Sequence, residues 1–185
     1  ISASHNPFED NGIKFFSHTG AKLPDKVEDE IQLLVEDDSL MKRPVNEGVG
    51  SIITCPELVS EYIDYVVRSA NVDLAGLKVV LDCANGAAFE IAPVILRTLG
   101  AEVFVINDEP DGININNNCG STHMDGLAAA VLQHGADLGI AHDGDADRCL
   151  FVDEKGQLVD GDQMMLICAL ELMRKKKLVQ DTLVT

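Results

Sequence analysis

The chain has 185 residues, a net charge of −17, 46% hydrophobic and 24% charged residues, the composition of a folded globular chain and not of a disordered one. That acidity excludes non-specific nucleic-acid binding and docking on an anionic membrane, and no apolar run approaches the roughly 18 residues of a membrane span. The length allows one to two domains, and a chain that starts at Ile1 and stops at Thr185 in an apolar run, with no visible leader, is expected to be a piece of something longer.

The elements are read in chain order. Ser2 to Gly12 is a loop punctuated by Asn6-Pro7 and Asn11-Gly12. Ile13 to Phe16 is predicted to be a short strand. A helix is predicted from Pro24, with Val27, Ile31, Leu34 and Val35 on one face, proline at its first position and acids in its first turn. A second helix spans Pro56 to Arg68, and Ser69 to Gly76 is read as a linker. The pattern then alternates: strand Lys78 to Asp82, helix Ile91 to Leu99 capped by Gly100, strand Glu102 to Ile106, helix Asp125 to His134 followed by Gly135, strand Leu138 to Ala141. Near-continuous apolar strands separated by helices predict a parallel sheet covered on both faces. Ligands of such sheets bind at the strands' carboxyl ends, where Asp82, Asn107 and His142 to Asp147 fall. A hairpin, Cys149 to Val152 and Gln157 to Val159 around Asp153-Glu154-Lys155-Gly156, precedes a helix from Asp162 to Lys177. The basic run Arg174 to Lys177 suits a solvated helix end. Thr182 to Thr185 is predicted to begin a strand.

The five cysteines (Cys55, Cys83, Cys119, Cys149, Cys168) are odd in number and form no CxxC pair. They are expected to be reduced, mostly buried thiols of a cytosolic protein, not a disulfide or zinc framework.

Two segments carry chemistry. In His142-Asp143-Gly144-Asp145-Ala146-Asp147-Arg148, three carboxylates alternate with small residues. Their mutual repulsion raises their pKa values unless a cation sits among them, and oxygen-only ligands suit Mg²⁺ or Ca²⁺. A solvated acidic loop is the plain alternative; the position after a buried strand favours the metal. An EF-hand frame from Asp143 to Glu154 fails, because its sixth position needs glycine and holds Arg148, and strands flank it. In Ser2-Ala3-Ser4-His5-Asn6-Pro7, the adjacent Ser4 and His5 do not make a hydrolase dyad. Ser4 is either a structural hydroxyl or an activated nucleophile. Lys14 could neutralise a phosphate, shuttle a proton, or sit in solvent.

Taken together, these segments resemble a known superfamily. ISASHNPFEDNGIKFF closely resembles the active-site loop of the α-D-phosphohexomutases, and DGDADR their metal-binding loop. LDCANGAA, GININNNCGSTH and DLGIAHDGDADRCLFVDEKGQLVDGDQ are most like the bacterial phosphoglucosamine mutases among them. The similarity runs through essentially the whole chain. Met124 stands where a proline is usual, and Ala146 where glycine is common. The resemblance implies an α/β fold of mixed and parallel sheets sandwiched by helices, in a multidomain architecture of which only part is present. Residues 1–68 would be the C-terminal part of domain I with its phosphoserine loop. Residues 69–152 would be domain II with the metal loop, and residues 153–185 the start of domain III.

The resemblance also implies roles. Ser4 would be the phosphorylated serine. Asp143, Asp145 and Asp147 would hold Mg²⁺ together with a phosphoserine oxygen. Lys14 and His5 would flank the transferring phosphoryl group, Arg148 would help bind phosphate or position the metal loop, and Asn6 would bind phosphate. The reaction would interconvert glucosamine 6-phosphate and glucosamine 1-phosphate through a sugar bisphosphate. Glucosamine 1,6-bisphosphate, or glucose 1,6-bisphosphate, would be the activator. The product would feed UDP-N-acetylglucosamine and cell-wall synthesis in a bacterial cytoplasm. The partner would be a small-molecule hexosamine phosphate, with no nucleic acid and no membrane, and the full-length protein could form a homodimer. The segment alone is expected to be inactive. The competing readings are a phosphomannomutase or phosphoglucomutase of the same superfamily, a phosphatase using Asp143 as nucleophile, and a non-enzymatic acidic cation-binding module.

Overall fold

Five short strands form one mixed sheet in the order β2-β1-β3-β4-β5: β1 Lys78–Asp82, β2 Glu102–Ile106, β3 Leu138–His142, β4 Cys149–Asp153 and β5 Leu158–Val159. The structure is a computed structural model describing residues 1–184, the side chain of Asp38 excepted. β1 runs parallel to both β2 and β3, with Leu81 opposite Val105 on one side and Ile140 on the other. β4 returns antiparallel beside β3, pairing His142 with Cys149, and β5 continues the hairpin. The sheet is parallel where the crossover helices feed it and antiparallel where the hairpin closes it.

The helices are α1 Asp25–Glu36, α2 Glu57–Ala70, α3 Ile91–Thr98, α4 Asp125–His134 and α5 Gly161–Arg174. α4 covers one face of the sheet. Its Leu127, Ala130 and Val131 pack with Val80, Ala141 and Val152 in the buried core, with Phe104 and Ile106 at the margin. Gly139 permits that fit, since a Cβ there would lie 2.8 Å from side-chain carbons of Leu127 and Val131. α3 and α2 lie over the other face. There Tyr62, Val66, Ile91 and Ile95 look across a cavity of about 490 Å³ onto Leu81, Ile140 and Phe151. Asn71 in the left-handed conformation (φ 46°) ends α2, and Gly135 (φ 58°) ends α4. Asp160 and Gln163 form a reciprocal capping box at the start of α5.

Several predicted features differ. Ile13 to Phe16 is not a strand. Among the described residues only single bridges form there, Ser2 with Gly12 and Phe16 with Lys22. No neighbouring strand among the described residues completes a ladder. Pro24 is the N-cap of α1, which begins at Asp25. α2 takes in Ser69 and Ala70, shortening the linker, and α5 stops at Arg174. Val179–Asp181 is a 3-10 turn; Thr182 to Val184 pairs with no strand among the described residues, and Thr185 lies outside them. The cysteines are all free, but only Cys83 and Cys119 are buried; Cys55 is half-buried, and Cys149 and Cys168 are exposed. No described helix is long and apolar enough to cross a membrane.

Candidate functional site

The chain passes from β1 to β2 on one side and returns past β1 to β3 on the other. This reversal opens a crevice at the carboxyl ends of β1 and β3. Asp82 closes β1 there and is buried. Its carboxylate accepts the backbone N–H groups of Ala84 and Gly120, each at 2.9 Å, tying two loops together. Burial pushes the Asp82 carboxyl above its usual range, a shift that the two backbone N–H groups oppose. Asp82 is therefore a structural tie and not part of the acidic cluster.

The cluster is the loop after β3. Asp143, Asp145 and Asp147 each bring a carboxylate oxygen within 4.8 Å of the others, grading from buried through half-buried to exposed. They are the only such group among the described residues. Asp143 is fully buried; Oδ1 accepts the backbone N–H of Arg148 at 3.1 Å, and Oδ2 accepts no hydrogen bond. Asp145 Oδ1 is likewise buried and unpartnered. A buried carboxylate oxygen without a donor is costly. Two of them within a three-carboxylate cluster fit a hard divalent cation with oxygen ligands, Mg²⁺ above all.

The serine loop lies directly on this acidic loop. The Ser4 carbonyl accepts the backbone N–H of Gly144 at 3.0 Å. Lys14 Nζ donates to Asp145 Oδ2 at 2.8 Å. That hydrogen bond and its charge hold Asp145 below the usual carboxylate range and raise Lys14 above its own. Arg148 Nε sits 4.0 Å from both Asp143 Oδ2 and Asp147 Oδ1, bracing the loop from its far end. Ser4 has φ 53°, a left-handed conformation that costs a non-glycine residue about 1–2 kcal/mol and must be held by its surroundings. Its Oγ lies 3.5 Å from His5 Nδ1, too long for an activating dyad.

Every predicted site residue thus lies on one of two apposed loops. Ser4, His5, Asn6 and Lys14 come from the first, Asp143, Asp145, Asp147 and Arg148 from the second. Asn6 enters through its backbone, its N–H bonding the Ala3 carbonyl at 2.9 Å and its own carbonyl accepting from Asn116 at 2.8 Å. Sequence reasoning missed Asn116 and Gly86, and read Gly144 only as a small residue that lets the acidic loop fold tightly. Asn116 bridges the serine loop, Gly144 provides the contact point between the loops, and Gly86 packs against the Gly144 carbonyl so closely that a Cβ there would overlap it. The Asn-rich run at 114–118 was visible, but four asparagines in five positions give no sign of which one turns inward.

The phosphoglucomutase/phosphomannomutase alpha/beta/alpha domain II family model matches residues 60–156, and the domain I model matches residues 1–41. The chain belongs to this family, part of the α-D-phosphohexomutase superfamily. Among curated relatives, the phosphoglucosamine mutase of Symbiobacterium thermophilum is 58% identical over 186 residues, covering 100% of this chain and 41% of that protein. The phosphoglucosamine mutase of Rhodococcus opacus is 52% identical over 184 residues, again 100% of this chain and 41% of its own length. The chain therefore spans about 41% of the length of these relatives. A crystal structure of a phosphoglucomutase/phosphomannomutase family protein from Burkholderia thailandensis superposes with a TM-score of 0.71 at 27% identity, over 95% of this chain and 37% of that one.

Proposed function

We propose that the chain is the phosphoserine-loop and metal-loop portion of a phosphoglucosamine mutase, an isomerase of glucosamine phosphates. The observation that carries this reading is the backbone contact between the Ser4 loop and the Asp143–Asp147 loop, with two buried carboxylate oxygens left without donors between them. Similarity to phosphoglucosamine mutases along the whole chain supports the substrate. Residues 1–68 are read as the end of domain I, 69–152 as domain II and 153–185 as the start of domain III. The β4–β5 hairpin crosses the last of these boundaries.

Ser4 would carry a phosphoryl group in the resting enzyme. In the first half-reaction its Oγ–P bond breaks as a P–O bond forms to the 1-hydroxyl oxygen of glucosamine 6-phosphate, whose proton ends on Ser4 Oγ, giving the 1,6-bisphosphate. In the second, after the bisphosphate has turned over in the cleft, the 6-phosphoryl group returns to Ser4 Oγ, the serine proton ends on the sugar's 6-oxygen, and glucosamine 1-phosphate leaves. Asp143, Asp145 and Asp147, with a phosphoserine oxygen, would hold Mg²⁺. When bound, the ion supplies positive charge against the phosphoserine, which adds about −1.5 to −2 at pH 7. Lys14, whose Nζ lies beside the acidic loop at 2.8 Å from Asp145 Oδ2, would act as a cationic partner of the phosphoryl oxygens. Arg148 braces the acidic loop, and His5 and Asn6 line the serine's side. A sugar bisphosphate would restore phosphate lost to water, in a bacterial cytoplasmic route to activated amino sugars. Asp143 is enclosed, which disfavours its use as a phosphatase nucleophile.

The test uses a full-length enzyme carrying this segment. Intact mass after incubation with glucosamine 1,6-bisphosphate should show one added phosphate, mapping to Ser4. Glucosamine phosphate should turn over faster than the glucose and mannose phosphates. Ser4→Ala should keep the fold and lose turnover. Unphosphorylated enzyme with full activity would overturn the reading, and preference for mannose phosphate would move it to a sister activity.

A further inference from the structure

We infer that Asn116 is a positioning residue for phosphoryl transfer at Ser4: its side-chain amide clamps the carbonyls on either side of His5 and holds the serine loop on the acidic loop. Asn116 lies 112 residues from Ser4 in sequence, yet its Nδ2 donates to the Ser4 carbonyl and the Asn6 carbonyl, both at 2.8 Å. Both amide hydrogens are used. Because both partners are carbonyl oxygens, only one orientation of the amide satisfies the site.

The amide is itself fixed. Asn116 is 7% exposed, and its backbone N–H donates to the Ala84 carbonyl at 2.9 Å, just beyond the end of β1. The loop carrying it is pinned by Asn85, whose Oδ1 accepts from Glu109 N–H at 3.2 Å, and by Asn114, whose Nδ2 donates to the Glu109 carbonyl at 2.9 Å. The clamp thus runs from the sheet through a rigid loop to the serine. It meets the acidic loop at one point, because the Ser4 carbonyl accepts from Asn116 and from Gly144 N–H together. These bonds oppose the left-handed strain at Ser4 (φ 53°). Removing the two side-chain donors frees the Ser4 backbone to relax and displaces its Oγ with it. Phosphoryl transfer depends almost wholly on positioning, so a small displacement is expensive.

The kinetic part of this inference rests on the phosphoryl chemistry proposed for Ser4; the clamp does not. Two variants of the full-length enzyme separate the cases. Asn116→Asp keeps the shape and loses the donors, whereas Asn116→Ala loses both. In each, amide hydrogen exchange at Gly144 and Asn6 should rise at least about tenfold while Val80 and Leu81 in β1 stay protected. The kcat should fall about 100-fold with the sugar-phosphate KM changed by less than about threefold, because the clamp touches no substrate. If Asn116→Asp restores wild-type exchange and kcat, the side chain only fills space and the inference is wrong. If Asn116→Ala behaves as wild type and Asn116→Asp alone fails, the added charge is responsible and the inference is again wrong. If the wild-type enzyme carries no phosphate on Ser4 and does not turn over, the proposed function has failed. The exchange measurement then decides the clamp by itself: raised exchange at Gly144 upholds it, and unchanged exchange overturns it.

Discussion

Gly144→Ala tests whether the two loops must touch. A Cβ at Gly144 would lie 2.5 Å from the Ser4 carbonyl oxygen, 2.7 Å from Ile115 Cδ1 and 2.8 Å from Asn116 Nδ2. Ordinary carbon contacts fall near 3.5–4.0 Å, so each neighbour is about 1 Å too close. Ile115 can turn aside, but the Ser4 carbonyl is backbone and Asn116 is bonded on both hydrogens. The cheapest relief is for the serine loop to lift by about 1 Å. Overpacking of this kind costs about 1–3 kcal/mol, and a displacement of that size at a reacting group costs about 100-fold in rate. Urea unfolding of the 185-residue chain should show the stability loss, and single-turnover transfer from sugar bisphosphate to Ser4 in the full-length enzyme should show the rate loss. Gly126→Ala, on α4 with nothing within 4 Å of its Cβ, is the control and should stabilise by about 0.5–1 kcal/mol. If Gly144→Ala matches wild type in both measurements, the contact between the loops is not a constraint and the reasoning is refuted.

Mg²⁺ at about ten times its dissociation constant should stabilise the chain by roughly 1.4 kcal/mol, a rise of about 3–6 °C in Tm for this length. Asp143→Asn should abolish that rise while leaving the metal-free Tm equal or higher, since it removes a buried repulsion; a rise that persists in the variant would remove Asp143 from the ligand set. Thiol labelling at pH 8 should modify exposed Cys168 first and Cys83 and Cys119 last, because burial pushes the last two up to about 12 and about 11. Early labelling of Cys83 would mean that the carboxyl end of β1 opens.

The parts legible in the sequence were those whose partners lie close along the chain. Lys78–Asp82, Glu102–Ile106 and Asp125–His134 have the predicted bounds, because apolar runs closed by turn residues set both the element and its end. The acidic triad was legible for the same reason: its three carboxylates fall within five residues. Ile13 to Phe16 has the composition of a strand, but a strand exists only beside another, and single bridges are all that form there. The Asn116 clamp was illegible because it joins positions 112 residues apart, and its neighbours Asn114, Asn117 and Asn118 are the same residue type. Tertiary placement alone selects one of the four.

The charge of −17 takes on a local meaning at this site. Lys14 and Arg148 face three carboxylates, and Lys14 is already engaged by Asp145 at 2.8 Å. Adding a phosphoserine would leave the pocket strongly negative, so phosphate on Ser4 and a dication on the triad are each tolerable chiefly in the presence of the other. The two loops are joined by one salt bridge, Lys14 to Asp145, and by an uncharged backbone bond from the Gly144 N–H to the Ser4 carbonyl. The salt bridge responds to any change of charge at Ser4, whereas the backbone bond does not. The Asn116 amide and the Gly144 N–H carry no charge, so under the proposed chemistry these contacts are the ones least altered when Ser4 gains or loses a phosphoryl group.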